Sequence, residues 1–209
     1  MMCDPAPLRA AALSSIVMLA ACAGPSTNYL TGYPAINDDG TVNAVIEIPA
    51  GDSAKFEVTT DGSGMRQNQV DGRPRFIEYL TYPFNYGMVP RTLEDPALGG
   101  DGDPLDVIVL GDAIARGEVV AVRVLGVVRM VDTGERDDKL IAVVPGTPLA
   151  AAADIAQLDA QFPGITDILR IWLTNYKDPG MIVVEGIEGA DEAGRILDDT
   201  AAAFERARR

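Results

Sequence analysis

Three carboxylates fall within six residues in Asp101-Gly102-Asp103-Pro104-Leu105-Asp106, and the run leads into the apolar stretch Val107-Ile108-Val109-Leu110. Carboxylates this crowded repel one another and are unfavourable without cations. Oxygen-only donors at such density suit hard divalent ions such as Mg²⁺, Mn²⁺ or Ca²⁺. An EF-hand fits poorly, because Leu105 stands where the loop needs an oxygen ligand and Asp106 where it needs glycine. The alternative for this segment alone is a solvated acidic turn. A second cluster, Asp132-Thr133-Gly134-Glu135-Arg136-Asp137-Asp138-Lys139, reads by itself as a charged hairpin turn. Both clusters lie at strand ends, so a curved sheet could bring them together around more than one metal ion.

The cations are equally selective. The only lysines are Lys55, Lys139 and Lys177, against fourteen arginines, and each lies in a patterned block. Lys55 shares a strand face with Glu57, Lys139 closes the second acidic cluster, and Lys177 follows Tyr176. There is no histidine, which excludes Ser-His-Asp and Cys-His catalysis and His-ligated zinc. Ammonium groups among many carboxylates point to an anion that arrives with metals, such as phosphate or polyphosphate. The block Tyr79-Leu80-Thr81-Tyr82-Pro83-Phe84-Asn85-Tyr86-Gly87 either packs a corner of the sheet or offers a phenol to a phosphate oxygen.

These side chains need a scaffold, and the pattern supplies mostly short strands followed by helices. Val42, Ala44, Ile46 and Ile48 alternate with more polar residues, as in a half-buried strand. Ala54, Phe56 and Val58 alternate with Lys55, Glu57 and Thr59. Further strands fit 107–110, 119–131, 139–144 and 181–187, with Gly126 marking a bulge or bend. Helices fit 150–162 and 165–176, and Ala193, Ile196, Leu197, Ala201 and Phe204 form the stripe of a last helix. The fold class expected is α+β: a small closed or highly curved antiparallel β-barrel, OB-like, with flanking C-terminal helices.

The 209 residues, 47% of them hydrophobic, suit one folded domain. A net charge of −14 repels a phosphodiester backbone and argues against nucleic-acid binding. Residues 1–21 read as a signal peptide, with a short apolar run ending in Leu19-Ala20-Ala21-Cys22. That ending resembles a bacterial lipobox, with Cys22 the lipidated residue and the membrane met through that lipid alone. The expected protein is exported and periplasm-facing, with the outer membrane preferred because Ala23 follows the cysteine; a cytoplasmic location follows if the signal reading fails. Residues 22–40 read as a flexible tether and 41–209 as the functional domain.

Taken together, these blocks resemble the family I soluble inorganic pyrophosphatases from about Val45 to the end of the chain. The resemblance rests on Val45-Ile46-Glu47-Ile48-Pro49, Lys55-Phe56-Glu57, Tyr82 through Gly87, Asp101 through Asp106, Asp132 through Lys139, and Asn175-Tyr176-Lys177, in the family's order. It implies Mg²⁺-dependent hydrolysis of diphosphate, taken as its Mg complex, to two phosphates, with several Mg²⁺ per site and Mn²⁺ as a substitute. The attacking water would lie between two metals, and Asp103 would accept its proton. Asp101, Asp106 and Asp137 would hold the first metal, with Asp106 bridging to the second; Asp132, Glu47 and Glu57 would help hold the others. Lys55, Lys139, Tyr86, Tyr176 and Lys177 would contact the phosphoryl groups, together with Arg75 or its neighbour Arg73, of which Arg75 is preferred. A homo-oligomer is a further expectation. The competing reading is a lipoprotein that keeps the barrel as a non-catalytic metal or phosphate-binding module.

Overall fold

The computed structural model describes Met1 and residues 27–208. The expected signal peptide and Cys22 therefore lie outside the described residues. Among the described residues, eleven strands and three α-helices follow in chain order. The strands are β1 Val42–Ile48, β2 Phe56–Val58, β3 Met65–Gln67, β4 Gln69–Val70, β5 Arg73–Pro74, β6 Asn85–Met88, β7 Asp106–Leu110, β8 Val119–Asp132, β9 Glu135–Arg136, β10 Lys139–Val143 and β11 Ile182–Gly189. The helices are α1 Ile155–Gln161, α2 Ile165–Asn175 and α3 Ala190–Ala207. No helix of the described residues is long and apolar enough to cross a membrane.

Five strands close into a ring: β1 pairs with β6, β6 with β7, β7 with β10, β10 with β8, and β8 with β1. The class is α+β, as the sequence pattern implies, but the ring is not wholly antiparallel. β7 and β10 run parallel, with Lys139 opposite Asp106. Between them the chain reverses twice, into β8 and out of it, and two reversals restore the direction. β8 is long enough to serve three partners besides the short hairpin strand β9. Val119 to Val122 pair with β1, Arg123 to Val128 with β10, and Gly126 to Asp132 with β11.

The register of β8 slips beside Gly126, where Ile141 faces Gly126 and Ala142 faces Val124. A Cβ on Gly126 would stand 2.2 Å from the Glu188 carbonyl oxygen and 2.6 Å from Ile155 Cγ1. The glycine thus admits β11 and α1 at closer range than any side chain allows.

β1 is buried along its whole length rather than half-buried. Ring strands are covered on both faces, so alternation sorts residues between two apolar clusters instead of between core and water. Ile108, Ile141 and Val143 pack with α2 residues Leu169, Trp172 and Leu173. Val107, Val109, Leu140 and Ala142 pack with α3 residues Ala193, Ile196 and Leu197. In β1, Ile46 belongs to the second cluster and Ile48 to the first, because the register slips at Glu47. That bulge decides where the Glu47 carboxylate points.

The expected helix over 150–162 divides into a 3₁₀ turn, Pro148–Ala151, and α1. Asp154 is the reason, since its carboxylate accepts from Gln157 N and starts a new helix. In α3 the buried stripe runs through Thr200 and Ala203, while Ala201 and Phe204 are only half-buried. Thr200 tolerates this position by donating its hydroxyl to Ile196 O. The described part of the expected tether differs too. Residues 28–37 are hydrogen-bonded to the domain, through Tyr29 N to Gly62 O, Arg91 N to Leu30 O and Asn43 N to Ala35 O among others.

Candidate active site

A cleft of about 890 Å³ opens at one end of the ring, and the strands aim their termini into it. β7 begins with Asp106, whose carboxylate accepts from the Tyr86 hydroxyl of β6 and from Lys139 Nζ of β10 at 2.6 Å. Lys139 also reaches Asp137 Oδ1 at 2.7 Å. Tyr86 is held in place by Asn85 beside it. Fully buried, Asn85 donates to the Val109 and Asp112 carbonyls and accepts from Ala50 N and Ile114 N, so its amide is fully used in locking β6 to its neighbours.

The Asp101–Asp106 loop folds over this end of the sheet. Asp101 Oδ1 caps Asp103 N at 2.8 Å. The backbone of Glu94 clamps the same loop from below, donating to Asp103 O at 2.8 Å and accepting from Gly102 N at 3.0 Å. The second acidic cluster forms the expected hairpin, with Thr133 and Gly134 both at positive φ as a two-residue turn requires. Beyond it, Asp137 and Lys139 face the cleft side and Asp138 faces away. Asp138 accepts from Met130 N at 3.1 Å and pairs with Arg129 Nε at 3.0 Å. Asp137 N returns to Met130 O, so this turn is stapled from both directions.

On the opposite wall, Lys55 stands just before β2 with its ammonium 3.5 Å from Glu57 Oε1 and 5.1 Å from the Tyr86 ring centroid. Glu47 Oε1 accepts from Val58 N at 2.7 Å, and Glu57 Oε2 from Asn68 Nδ2 at 2.9 Å. Tyr176 caps the end of α2 and stacks on Trp172 with ring centroids 4.6 Å apart. The next residue, Lys177, pairs with Asp132 at the end of β8. The tyrosine block is thus divided in its use. Tyr86 serves the cleft, whereas Tyr82 and Phe84 are buried against Trp172.

Glu47, Lys55, Glu57, Tyr86, Asp101, Asp103, Asp106, Asp132, Asp137, Tyr176 and Lys177 all line this one cleft. Arg75 lines it as well, while Arg73 lies exposed on β5 and does not. The exception is Lys139, expected at the substrate. It is 1% exposed and lies beneath the cleft, where its ammonium bridges Asp106 and Asp137. Burial works against its charge, yet the two carboxylates outweigh that and hold its pKa well above the ordinary lysine value.

Glu94 is the residue that sequence reasoning missed. The residue is 5% exposed, and its carboxylate accepts from Asp138 N at 3.2 Å and offers an oxygen within 4.8 Å of oxygens on both Asp101 and Asp137. The available sequence signal was slight: an acid after Leu93 and seven residues before Asp101. Three carboxylates converging with oxygen donors alone fit a hard divalent cation.

Burial, reinforced by the charge of Asp106, pushes Glu94 up to about 9. Burial likewise pushes Glu47 up to about 8 and Asp101 up to about 6. Such groups stabilise the fold fully below their unfolded values, 4.5 for Glu and 3.8 for Asp, and lose that contribution as pH rises through the folded values. The melting temperature of chelator-treated protein is therefore expected to fall between about pH 5 and pH 9. Mg²⁺ should raise it more at the upper end, because a cation replaces the lost protons. Thermal unfolding with and without Mg²⁺ checks this, and a melting temperature that climbs with pH in chelator would contradict it.

A family model described as inorganic pyrophosphatase matches residues 44–205. Among curated proteins, a chloroplastic soluble inorganic pyrophosphatase 1 of Chlamydomonas reinhardtii is 40% identical over 157 residues, covering 70% of this chain and 56% of that protein. The chain spans about half the length of the curated relatives it matches. Among solved structures, a type I inorganic pyrophosphatase from Toxoplasma gondii aligns with a TM-score of 0.81 at 29% identity, covering 86% of this chain and 88% of that one. An N-terminally truncated vacuolar soluble pyrophosphatase from Trypanosoma cruzi, solved in complex with PPi, aligns with a TM-score of 0.78 at 28% identity, covering 84% and 73%.

Proposed function

The chain belongs to the inorganic pyrophosphatase family, and on that footing we propose that it hydrolyses inorganic diphosphate to two phosphates with Mg²⁺ as the working metal. The observation that carries this reading is the convergence of both acidic clusters, the cations Lys55, Arg75 and Lys177, and two phenols on one cleft. Asp101, Asp137 and Glu94 would hold one divalent ion and Asp106 would share in it; Asp132, Glu47 and Glu57 would serve the others. Bound ions supply Lewis acidity, lowering the pKa of a water and neutralising phosphoryl charge.

The chain's own residues supply the rest. Asp103 accepts the proton of the attacking water as its oxygen bonds to phosphorus and the bond to the bridging oxygen breaks. Burial and the charges of Asp106 and Glu57 raise its pKa above the ordinary aspartate value, which makes it a better base. Lys55, Lys177, Arg75, Tyr86 and Tyr176 direct donors at phosphoryl oxygens, fixing the two groups in line and stabilising the departing phosphate. Lys139 acts from beneath, cancelling charge between Asp106 and Asp137. The five-strand ring is the closed OB-like barrel in this reading, and a homo-oligomer belongs to it too.

The test is phosphate release from diphosphate by the purified 23–209 fragment, with Mg²⁺ and with chelator, beside an Asp106→Asn variant. Release that needs Mg²⁺ and is lost in the variant supports the reading. A folded protein that binds Mg²⁺ and releases nothing would replace it with a non-catalytic binding module. Export and acylation at Cys22 are proposed from the apolar run and the lipobox pattern. Labelled palmitate should enter the wild type and not Cys22→Ser, and equal labelling of both would end that proposal.

A further inference from the structure

Residues 28–31 touch three separate segments around the mouth of the cleft. Asn28 Nδ2 donates to Asp61 O at 2.6 Å, and Tyr29 N to Gly62 O at 2.8 Å, both at the tip of the β2–β3 hairpin. Gly62 is buried at φ +71, and a Cβ there would stand 2.3 Å from Asn28 Oδ1, so the hairpin tip is shaped to receive this side chain. The Tyr29 hydroxyl donates to Gly117 O at 3.2 Å, on the loop whose Arg116 donates to Glu47 O. On the third side, Arg91 donates through Nε and Nη2 to Thr31 O, at 3.0 and 2.8 Å, while its backbone N donates to Leu30 O. Arg91 holds this position at φ +54, a conformation costly for a non-glycine residue and sustained by surrounding contacts. Leu30 itself lines the cleft.

We propose that residues 28–31 are a strap that positions the substrate wall of the cleft, holding the β2–β3 hairpin with Lys55 and Glu57 against the ring. Asn28 is the positioning residue. One of its amide atoms holds the hairpin, and its Oδ1 accepts from Leu30 N and Thr31 N to shape the strap itself. The hairpin gains from such a fastening because, among the described strands, β2 and β3 pair only with each other, outside the ring, and β2 meets β1 through Val58 N on the Glu47 carboxylate. The metal wall, built from Asp101, Asp106 and Asp137 on ring strands and their loops, has its own supports in Glu94 and Asp138. Loosening the strap should therefore disturb substrate binding and leave alone the metal ion held by Glu94, Asp101 and Asp137.

Two variants of the full chain test this. Asn28→Ala cuts the strap at the hairpin. Arg91→Gln cuts it at the far side, through a side chain whose hydrogen bonds go only to Thr31 O among the described residues. Both are expected to speed hydrogen exchange of the β2–β3 amides roughly 3- to 10-fold, the scale of one lost hydrogen bond, with β7 and β10 unchanged. Both should raise KM for Mg-diphosphate by about the same factor, leave kcat within about twofold, and leave unaltered the calorimetric Mg²⁺ affinity, without substrate, of the site formed by Glu94, Asp101 and Asp137. Unchanged hairpin exchange in Arg91→Gln would overturn the strap, as would equal loss of affinity at the Glu94–Asp101–Asp137 Mg²⁺ site in both variants. The kinetic part rests on the diphosphatase reading; exchange decides the strap even if no diphosphate is cleaved.

Discussion

The Asp103→Asn variant is expected to bind Mg²⁺ as the wild type does and to hydrolyse diphosphate about 10²- to 10⁴-fold more slowly, the range that a positioned general base contributes. Asp103 differs from its neighbours in what it is free to do. Asp101 spends an oxygen capping the loop, and Asp106 is engaged by Tyr86 and Lys139. The Asp103 backbone is fixed at both ends, by Asp101 Oδ1 at its N–H and by Glu94 N at its carbonyl, while its side chain is exposed in the cleft. Asparagine keeps the shape and those backbone bonds but cannot take a proton. Metal affinity read by calorimetry and turnover read by phosphate release separate the two roles. Turnover near the wild-type rate would remove Asp103 from the base role.

The second large effect belongs to Lys139→Met. Methionine fills a similar buried volume, but two carboxylates that shared one ammonium would then face each other without a cation. Removing one partner of a buried ion pair costs about 3–5 kcal/mol, and that loss is expected in the metal-free protein at neutral pH. It should shrink when Mg²⁺ is added and also when the pH is lowered enough to protonate the carboxylates, since each relieves the repulsion by a different route. Denaturant unfolding in chelator, in Mg²⁺ and at low pH measures all three. An unchanged midpoint in chelator would show that the ammonium does not balance these carboxylates.

What could be read from the sequence was whatever is written locally. The Asp101–Asp106 motif, the Asp132–Lys139 turn and the pairing of Lys55 with Glu57 all sit within a few residues, and the structure keeps each together. Non-local consequences were less visible. Alternation in β1 looked like a half-buried strand because a ring covered on both faces produces the same spacing. The parallel β7–β10 pair depends on the order in which distant strands close, which no local pattern records. Lys139 stands beside the acids of its own cluster in the sequence, yet its burial depends on Asp106 arriving from a different strand. Glu94 lay hidden for the same reason: its partners Asp101, Asp137 and Asp138 converge only after β7 and β10 pair.

The docking of residues 28–37 also changes the scale of any attachment at Cys22. Composition allowed a leash of some eighteen residues, which would let the domain wander far from its anchor. With Asn28 fastened to the hairpin, only five residues separate it from Cys22, and six extended peptide units reach about 20 Å. An acyl chain on that cysteine would then hold Asn28 within about 20 Å of the lipid headgroups, between two and three Debye lengths at physiological salt. Beyond one Debye length a leaflet's charge is largely screened, so at physiological salt the mouth would sample bulk diphosphate and its metal complex, and the leaflet's charge would reach it only at low ionic strength. Strap and anchor together would make this a surface-confined catalyst whose sensitivity to the charge of its membrane is set by salt.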